Sequence, residues 1–370
     1  MAASKSKKKV RYAVVGLGHI AQVAVLPGFE NAKNSELVAI VSDDPTKRKE
    51  LKQKYDLAHA YSYDDYDRCL ESGEIDAVFI ALPNHLHCEY TVRAAQVGIH
   101  VLCEKPMAIT EQECRQMIDA CRERSVKLMI AYRLHTEEAN LKAVEIVQSG
   151  QIGEPRIFNS LFNMQVKEGD IRIQRDTGGG TLYDIGIYCI NAARYLFQQE
   201  PIEVVALTAA GDDERFTEVE EMASCVMRFP KERLATFTCS FGAADVSMYH
   251  VAGTKGDLRL DPAYEYVGKL HHRLTIDGKT KKKTFSRRDQ FGAEITYFSN
   301  CILDDTDPEP SGEEGLADVR VIRALYRSAK SGEPVKLKEY ARDQRPTMAQ
   351  EIELPPVSKP DLVHAESPTK

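Results

Sequence analysis

Two side chains that can move a proton lie one helical turn apart in the segment 177–196. Asp184 and Tyr188 interrupt a sequence that is otherwise apolar and that follows three consecutive glycines at 178–180. Residues i and i+4 project from the same side of a helix, so this spacing predicts a carboxylate and a phenol in one largely dry pocket. The pattern fits a buried pair that satisfies its own hydrogen bonds, and it fits equally a catalytic acid/base that awaits a substrate.

The segment that carries this pair is predicted to be a buried helix that begins at Thr181. Apolar side chains surround it on all sides, a pattern typical of a helix enclosed by protein rather than one lying on a surface. These side chains are Leu182, Ile185, Ile187, Cys189, Ile190, Ala192 and Leu196. The glycines before it relax the backbone at the entry to the helix.

The composition indicates a globular chain of two domains. The 370 residues are 43% hydrophobic and 28% charged, without an apolar run near membrane-spanning length, so no membrane partner is expected. A net charge of -7 gives no basic surplus for a phosphate backbone, which argues against nucleic acid. No secretory segment follows the lysines near the start, and nine cysteines without a CxxC indicate reduced thiols, so we expect a cytoplasmic protein.

A glycine-rich turn between a strand and a helix predicts a dinucleotide-binding domain. The strand at 11–15 runs into GLGHIA at 16–21, a helix follows, and ELVAIV at 36–41 supplies a second parallel strand at the required spacing. The first glycine would make the tight turn, the second would let backbone N–H groups approach a pyrophosphate, and the alanine would permit close helix packing. The predicted cofactor contacts in this turn are Gly16, Gly18, His19 and Ile20.

The residues after the second strand favour NADP over NAD. An acidic side chain at this position binds the ribose 2′-hydroxyl and repels a 2′-phosphate, whereas this chain carries Ser42 there. Lys47 and Arg48 lie in the first turn of the next helix, whose predicted N-cap is Asp44, and either cation could reach a 2′-phosphate. Asp43 is the counter-argument because it could take the acidic role, and both cations could instead lie on a solvated helix face.

The third predicted strand, at 77–82, ends in side chains that should face the cofactor, because ligands of open α/β sheets bind at the carboxyl ends of the strands. His85 and His87 follow it in an H-x-H pattern. No further ligand stands at a familiar metal spacing, so no metal is predicted. The predicted cofactor contacts at this strand end are Leu82, Asn84 and His87.

The fourth predicted strand, at 99–103, ends in Glu104 and Lys105. A partly desolvated lysine at this position would favour the ionised form of a nearby hydroxyl, and a structural ion pair between the two residues is the alternative. Both residues are predicted to contact the cofactor. So is Arg133, which follows the last strand of the domain at 127–131.

Beyond residue 132 the pattern changes from alternating strands and helices to a sheet. Segments at 156–166, 203–210, 221–229, 233–241 and 248–252 predict successive antiparallel strands, with the buried helix among them and an amphipathic helix at 313–329. We therefore predict a basic arm at 1–9, a dinucleotide-binding domain at 10–132, a substrate and oligomerisation domain at 133–342, and an extended, proline-rich tail at 343–370.

Three motifs resemble a known family. GLGHIA in a dinucleotide fold, CEKP after the fourth strand and GGGTLYDIGIY in a sheet domain resemble the glucose-fructose oxidoreductases, inositol dehydrogenases and rhizopine-catabolism oxidoreductases (Gfo/Idh/MocA). Many members have histidine in place of the last tyrosine. The tyrosine, together with PIEVVAL, DQF and SGEEGLADVRVIRALY, is similar to the glucose-fructose and aldose-aldose oxidoreductase subgroup, and the match covers most of the chain.

The resemblance implies an α/β fold, in which a Rossmann NAD(P)-binding domain precedes an α+β domain with a large open-faced sheet that is mixed and mainly antiparallel. It implies that Lys105 lies beside the nicotinamide, that Tyr188 is the acid/base for the reacting sugar hydroxyl, and that Asp184 positions the substrate. Further candidates for the substrate pocket are Arg133, Arg172 and Arg175.

We expect an NADP-dependent sugar oxidoreductase that oxidises an aldose at C1 to the lactone. Tyrosine ionises near pH 10 in water, so Tyr188 needs a nearby cation to act as a base, a role we assign to Lys105. A second sugar could take the hydride and become an alditol if NADP(H) stays bound. The alternatives are a conventional NAD(P)-dependent sugar dehydrogenase or keto-sugar reductase with a dissociable cofactor, and a non-catalytic sugar or dinucleotide sensor. The open sheet face also predicts a homo-oligomer, either a dimer or a tetramer.

Overall fold

The computed structural model describes residues 8–342 and 344–369, so residues 1–7 of the predicted basic arm lie outside the described residues. A parallel sheet forms the first part of the chain. Its strands are β1 (Val10–Val15), β2 (Ser35–Val41), β3 (His59–Tyr61), β4 (Ala77–Ile80), β5 (His100–Glu104) and β6 (Leu128–Ala131). Their order across the sheet is β3-β2-β1-β4-β5-β6, which confirms the predicted Rossmann fold.

Helices cover both faces of this sheet, and for that reason β4 and β6 are buried along their whole length. A π-helical turn at Ala21–Val25 follows the glycine-rich turn and continues into α1 (Leu26–Gly28). The other helices are α2 (Pro45–Lys54), α3 (Tyr66–Leu70), α4 (His87–Gln96) and α5 (Glu111–Glu123). The short edge strand β3 was not predicted, because its three half-buried residues show no apolar alternation.

The second part of the chain contains a sheet of nine strands. They are β7 (Pro155–Asn163), β8 (Glu203–Ala209), β9 (Met222–Phe229), β10 (Arg233–Ser240), β11 (Val246–Gly253), β12 (Gly256–Leu260), β13 (Leu270–Ile276), β14 (Lys279–Phe285) and β15 (Val335–Lys336). The order is β14-β13-β12-β11-β7-β10-β9-β8-β15. Only the β7–β10 pair is parallel, so the sheet of the described residues is mixed and mainly antiparallel, as expected.

Strands β12 to β15 were missing from the sequence prediction. β14 has the sequence KTKKKTF, and its first six residues are exposed, so no buried face produced an apolar alternation. This edge strand is held in place by its ladder with β13. A lysine-rich edge also discourages pairing with a further chain.

Four further α-helices follow β6 in the described residues. They are α6 (Glu138–Gln148), α7 (Ile187–Phe197), α8 (Gln290–Leu303) and α9 (Gly312–Ser331). A π-helical turn at Leu182–Gly186 leads directly into α7, and ten of the eleven residues of α7 are buried, which confirms the predicted buried helix. α7 packs between β7 and the helices α6 and α9.

Helix α8 was not predicted, and it joins the two parts of the chain. Its buried residues Phe291, Ile295 and Phe298 belong to the same core as β1, so α8 packs on the parallel sheet although it follows the antiparallel one in sequence. Ser299 of α8 contacts the hydroxyl of Tyr12 at 2.7 Å.

The tail from residue 344 to residue 369 is extended apart from a short 3₁₀ turn at Met348–Gln350, and it lies against both parts of the chain. Gln350 donates to the carbonyl of Glu309 at 2.7 Å, and Val363 pairs with Gln22. No helix within residues 8–342 and 344–369 combines the length and the hydropathy that a membrane span requires.

Candidate active site

A cavity of about 620 Å³ opens at the carboxyl ends of β1, β2, β4 and β5, beside the π-helical turn at Leu182–Gly186. The predicted cofactor contacts that line it are Gly16, Gly18, His19, Ile20, Ser42, Lys47, Leu82, Asn84, Glu104, Lys105 and Arg133. The predicted substrate contacts that line it are Arg133, Arg172, Asp184 and Tyr188. Residues from both sheets thus form one cleft.

The glycine-rich turn is shaped for a ligand that approaches the backbone. Gly16 has φ +92°, and a Cβ there would lie 2.4 Å from the carbonyl oxygen of Ala81, so the turn cannot accept a larger residue without movement. Gly18 is exposed to the cavity, and a Cβ there would meet nothing within 4 Å. This open backbone at the start of a helix fits the pyrophosphate of a dinucleotide.

The end of β2 places Ser42 and Lys47 at the cavity. Lys47 lines the cavity, and the predicted N-cap is confirmed, because the Asp44 carboxylate accepts from the backbone N–H of Lys47 at 3.0 Å. The carboxylate of Asp43, the residue that argued for NAD, accepts from the backbone N–H of Tyr63 at 2.8 Å. The guanidinium of Arg48 donates to the carbonyl of Ser42 at 2.5 Å, so Arg48 supports this corner without lining the cavity.

His87 lies behind the cavity wall, and this corrects its prediction as a cofactor contact. Its ring is buried, with one nitrogen 2.8 Å from the carbonyl oxygen of Pro106 and the other 2.9 Å from that of Leu82. It therefore ties the loop after β5 to the end of β4. Among residues 8–342 and 344–369, no three His, Cys, Asp or Glu side chains are grouped so that they could hold a metal ion.

Lys105 is paired with Asp184 and not with the adjacent Glu104. Its Nζ lies 2.8 Å from the main-chain oxygen of Asp184 and 3.1 Å from the carboxylate oxygen Oδ1. Burial lowers the pKa of Lys105, but the charges of Asp184, Tyr188 and Glu104 together outweigh burial and the pKa is raised. Lys105 is therefore a fixed cation at the cavity wall.

Asp184 uses its second carboxylate oxygen for Arg172, whose Nε lies 2.9 Å away. Burial raises the pKa of Asp184, yet the charges of Arg172 and Lys105 outweigh it and lower the pKa to about 2. The partners of this carboxylate are two cations, so the alternative of a mutual Asp184–Tyr188 pair does not hold.

Tyr188 lies half-buried at the cavity wall with two cations beside its ring. Lys105 Nζ is 4.9 Å from its ring centroid, and Arg133 Cζ is 5.1 Å from it. Both distances are in the range of cation–π contacts. The rings of Phe162 and Tyr264 complete the aromatic surroundings, at 5.5 and 5.8 Å between centroids.

The sequence reasoning missed the residues that fix Arg133. Its guanidinium donates to the side-chain oxygen of Gln290 and, at 2.5 Å, to the carbonyl of Tyr264, and it lies 5.3 Å from the ring of Tyr266. Gln290 belongs to the DQF motif, and the tyrosines belong to DPAYEY at 261–266. These two tyrosines were the signal in the sequence that could have indicated the surroundings of Arg133.

Arg175 is turned away from the cavity, which corrects its prediction as a substrate contact. Its Nε donates to the carbonyl of Glu218 at 2.9 Å, and its backbone N–H donates to the carboxylate of the same residue at 2.9 Å. Arg175 therefore anchors the loop around residue 218.

Glu104 contributes a titratable carboxyl to the cavity wall. Burial raises the pKa of Glu104 to about 7, against the opposing charges of Lys105 and Arg133. Glu294 of α8 is buried nearby, with both carboxylate oxygens lacking a hydrogen-bond partner among the described residues, and burial together with the charge of Glu104 raises its pKa well above the usual range. Two buried carboxyl groups with raised pKa values are therefore present, one at the cavity wall and one on α8.

Comparisons with known proteins match both parts of the chain. Residues 10–132 match the model of an oxidoreductase family with an NAD-binding Rossmann fold, and residues 140–259 match that of a GFO/IDH/MocA C-terminal domain. The D-xylose 1-dehydrogenase [NADP(+)] of Haloarcula marismortui is 32% identical over 89% of this chain and 93% of its own length.

Solved structures match over a similar extent. The aldose-aldose oxidoreductase of Caulobacter crescentus, complexed with glycerol, is 37% identical with a TM-score of 0.85, over 89% of this chain and 100% of that one. The 3-ketoreductase KijD10 of Actinomadura kijaniata, in complex with NADP and TDP-benzene, is 27% identical with a TM-score of 0.79, over 87% and 98% of the two chains.

Proposed function

This chain belongs to the Gfo/Idh/MocA family of oxidoreductases, and we propose that it uses NADP to oxidise an aldose at C1 to the lactone. The observation that carries the proposal is the contact of Lys105 with Tyr188, at 4.9 Å from Nζ to ring centroid, in the cavity that also contains the open backbone of Gly18. One cleft thus contains a cation, a phenol and a backbone that fits a dinucleotide. This set suits a reaction in which a sugar carbon gives a hydride to the cofactor and the hydroxyl on that carbon gives a proton to the phenol.

The glycine-rich turn and the end of β2 would hold the cofactor. When bound, NADP supplies the acceptor for the hydride of C1. Ser42 and Lys47 favour NADP because they offer a hydroxyl and a cation where NAD enzymes present a carboxylate, and Asp43 is occupied by the backbone of Tyr63. The name of the Haloarcula marismortui enzyme includes NADP(+), and the Actinomadura kijaniata structure is a complex with NADP, and both support this choice.

Tyr188 is proposed to accept the proton of the anomeric hydroxyl on its phenolic oxygen. Lys105 Nζ and Arg133 Cζ lie beside its ring, 4.9 and 5.1 Å from the ring centroid. As the proton leaves the hydroxyl and the hydride leaves C1, the C1–O bond becomes the carbonyl of the lactone. The xylose 1-dehydrogenase and the aldose-aldose oxidoreductase among the relatives support an aldose as substrate.

Asp184 is proposed to act mainly through Lys105, since both of its carboxylate oxygens already have a cationic partner. It fixes the direction of the ammonium group toward Tyr188. Arg172 holds the other side of Asp184, so these three residues form one rigid unit at the wall of the cavity.

A retained cofactor would let a second sugar accept the hydride and become an alditol, whereas a dissociable cofactor would make the protein a conventional sugar dehydrogenase. The purified protein should be examined by near-ultraviolet absorbance and fluorescence before and after addition of xylose or glucose. Reduction of NADP by an aldose supports the proposal, and reoxidation by a second sugar favours the retained cofactor. If the aldose changes neither absorbance nor fluorescence with added NADP or with added NAD, the result would instead favour a non-catalytic sensor.

A second copy of the chain is the proposed partner of the open face of the nine-stranded sheet. Ile157, Leu207, Val226 and Leu234 are exposed there, between 40% and 72%, and no described helix covers them. Exposed apolar side chains grouped on one face of a sheet are often covered by self-association. Nine free thiols, eight of them buried, support the reducing environment of the cytoplasm.

A further inference from the structure

Residues 359–369, here called the strap, run across the mouth of the cofactor cleft. The strap begins beside α2, where Lys54 donates to the carbonyl of Asp361 at 3.0 Å, and it ends beside the segment after β7. We propose that the strap is part of the cofactor site and retains NADP(H) in it. This inference rests on the proposed function.

The strap is fastened to the dinucleotide-binding domain by a reciprocal amide pair. The side-chain nitrogen of Gln22 donates to the carbonyl of Val363, and the backbone N–H of Val363 donates to the side-chain oxygen of Gln22, both at 2.8 Å. Gln22 is 1% exposed and lies in the π-helical turn directly after GLGHIA. Leu362 and Val363 pack against the core beneath that turn. The strap is therefore fastened to the π-helical turn that directly follows the glycine-rich turn, where the pyrophosphate is proposed to bind.

A second fastening lies at the end of β2. His364 Nδ1 is 2.9 Å from the carboxylate of Asp44, the residue that caps α2 beside Lys47. The strap thus crosses from the glycine-rich turn to the corner that we assign to the 2′-phosphate.

The other end of the strap is fastened to the sheet domain. The backbone N–H of Lys167 donates to the carbonyl of Pro368 at 2.9 Å, and Val166 and Thr369 face each other in an antiparallel bridge. Between the two fastenings, Ser367, Pro368 and Thr369 line the cavity itself. The strap therefore connects both walls of the cleft and forms part of its surface.

The chemistry of the strap suits an anionic dinucleotide. Ser367 and Thr369 line the cavity, and their hydroxyls lie 3.2 Å from each other. Burial and the charges of Arg172 and Lys359 lower the pKa of His19 in the glycine-rich turn, so Lys359 lies close to that turn. A bound dinucleotide under the strap can leave only after the fastenings on one side have opened. Release of cofactor is then slower than the cleft alone would give.

The test uses the rate at which bound NADPH leaves, measured by loss of its fluorescence when excess NADP is added. Deletion of 361–370 should speed release about tenfold or more relative to the intact chain. The opposite change is a double variant, Val166→Cys with Thr369→Cys, because residues opposed in an antiparallel pair have Cβ atoms about 4.5–5.5 Å apart, within a small adjustment of a disulfide. Its oxidised form should release NADPH about tenfold more slowly than its reduced form.

Val166→Cys alone, treated with the same oxidant, is the matched control, because Val166 does not line the cavity, and it should release NADPH at the same rate as the intact chain. Equal rates of NADPH release from the intact chain, the deleted chain and the oxidised double variant would overturn the proposal that the strap retains the cofactor. They would leave the proposed function unaffected. An intact chain that binds no NADPH overturns both. If the deleted chain does not fold, the double variant is sufficient for the test. Equal rates of NADPH release from its oxidised and reduced forms would overturn the proposal that the strap retains the cofactor.

Discussion

Lys105 and Asp184 are joined twice, because the ammonium group contacts both the carboxylate and the main-chain oxygen of the aspartate, at 3.1 and 2.8 Å. The two residues are 79 positions apart and come from different parts of the chain. Asp184 lies in the π-helical turn at Leu182–Gly186, a type of helix irregularity that often occurs at functional sites. The contact locks the lysine of the first domain onto the helix that carries Tyr188.

Replacement of Tyr188 by phenylalanine should lower kcat with an aldose by about 10²–10⁴-fold, the usual contribution of a general base. Binding of NADP should be unchanged, since the glycine-rich turn is untouched. Steady-state kinetics and NADPH fluorescence titration check the two parts. Tyr183→Phe is the matched control, because that phenol lies on the same helix but donates to the carbonyl of Ile109 outside the cavity. Near-normal turnover of Tyr188→Phe contradicts the assignment.

Replacement of Lys105 by alanine should lower kcat with an aldose by about 10²-fold or more, because the cation beside the ring of Tyr188 is lost. Steady-state kinetics measures the loss. Lys127→Ala is the control, since Lys127 lies at the opposite end of the same sheet and pairs with Asp305 and Asp307. An unchanged kcat in Lys105→Ala would contradict the catalytic role of Lys105.

Replacement of Lys47 by alanine should raise the Kd for NADP about tenfold or more and leave that for NAD nearly unchanged, because only NADP carries the 2′-phosphate. Fluorescence titration with the two reduced cofactors measures both constants. Lys49→Ala, an exposed lysine of the same helix that does not line the cavity, should change neither. Equal losses for NADP and NAD would mean that Lys47 acts on the helix and not on the phosphate.

The carboxyl of Glu104 should make the preference between oxidised and reduced cofactor depend on pH. Its pKa of about 7 means that it is neutral below pH 7 and negative above it. A negative charge favours the positive nicotinamide of NADP⁺, so the ratio of the Kd for NADPH to that for NADP⁺ should rise about fivefold as pH increases through 7, on the order of 1 kcal/mol. In Glu104→Gln the ratio should stay flat. The same slope in the variant would assign the titration to another group.

Replacement of Val226 and Leu234 by lysine should convert a homo-oligomer into monomers, because the charged pair would have to be desolvated in a sheet-to-sheet interface. Analytical ultracentrifugation of the variant and of the unchanged chain gives the masses. Val97→Lys, at an exposed apolar position after α4, is the control and should keep the original mass. An unchanged mass for the double variant would place any interface elsewhere.

Much of the fold follows from local sequence patterns. GLGHIA between a strand and a helix was sufficient to predict the Rossmann domain. One glycine makes a tight turn and the other lets the backbone approach a pyrophosphate, and both requirements depend on a few neighbouring residues. The apolar surroundings of the buried helix predicted α7, and Asp184 and Tyr188 stood out as its polar exceptions. The five strands with alternating burial were also recognisable, whereas β14 was not, because an exposed edge strand leaves no apolar signal.

The roles of individual side chains in the cleft were decided by tertiary structure. Arg175 and His87 have the right chemistry and the right neighbourhood in sequence, yet one binds Glu218 and the other is buried against two carbonyl groups. Arg133 was expected, but the partners that fix it come from residues more than 130 positions away.

Local patterns in the sequence predicted the Rossmann domain and the buried helix whose polar exceptions are Asp184 and Tyr188, because each depends on periodicity or spacing within one short segment. The open-faced sheet and the proposed role of Tyr188 came from the resemblance to the family. Only the packing of the whole chain decided that Asp184 meets two cations, that α8 closes the first sheet and that the strap returns over the cleft. The physical reason is that such contacts join distant segments, and their partners are selected by shape, burial and charge in three dimensions, which no local pattern records.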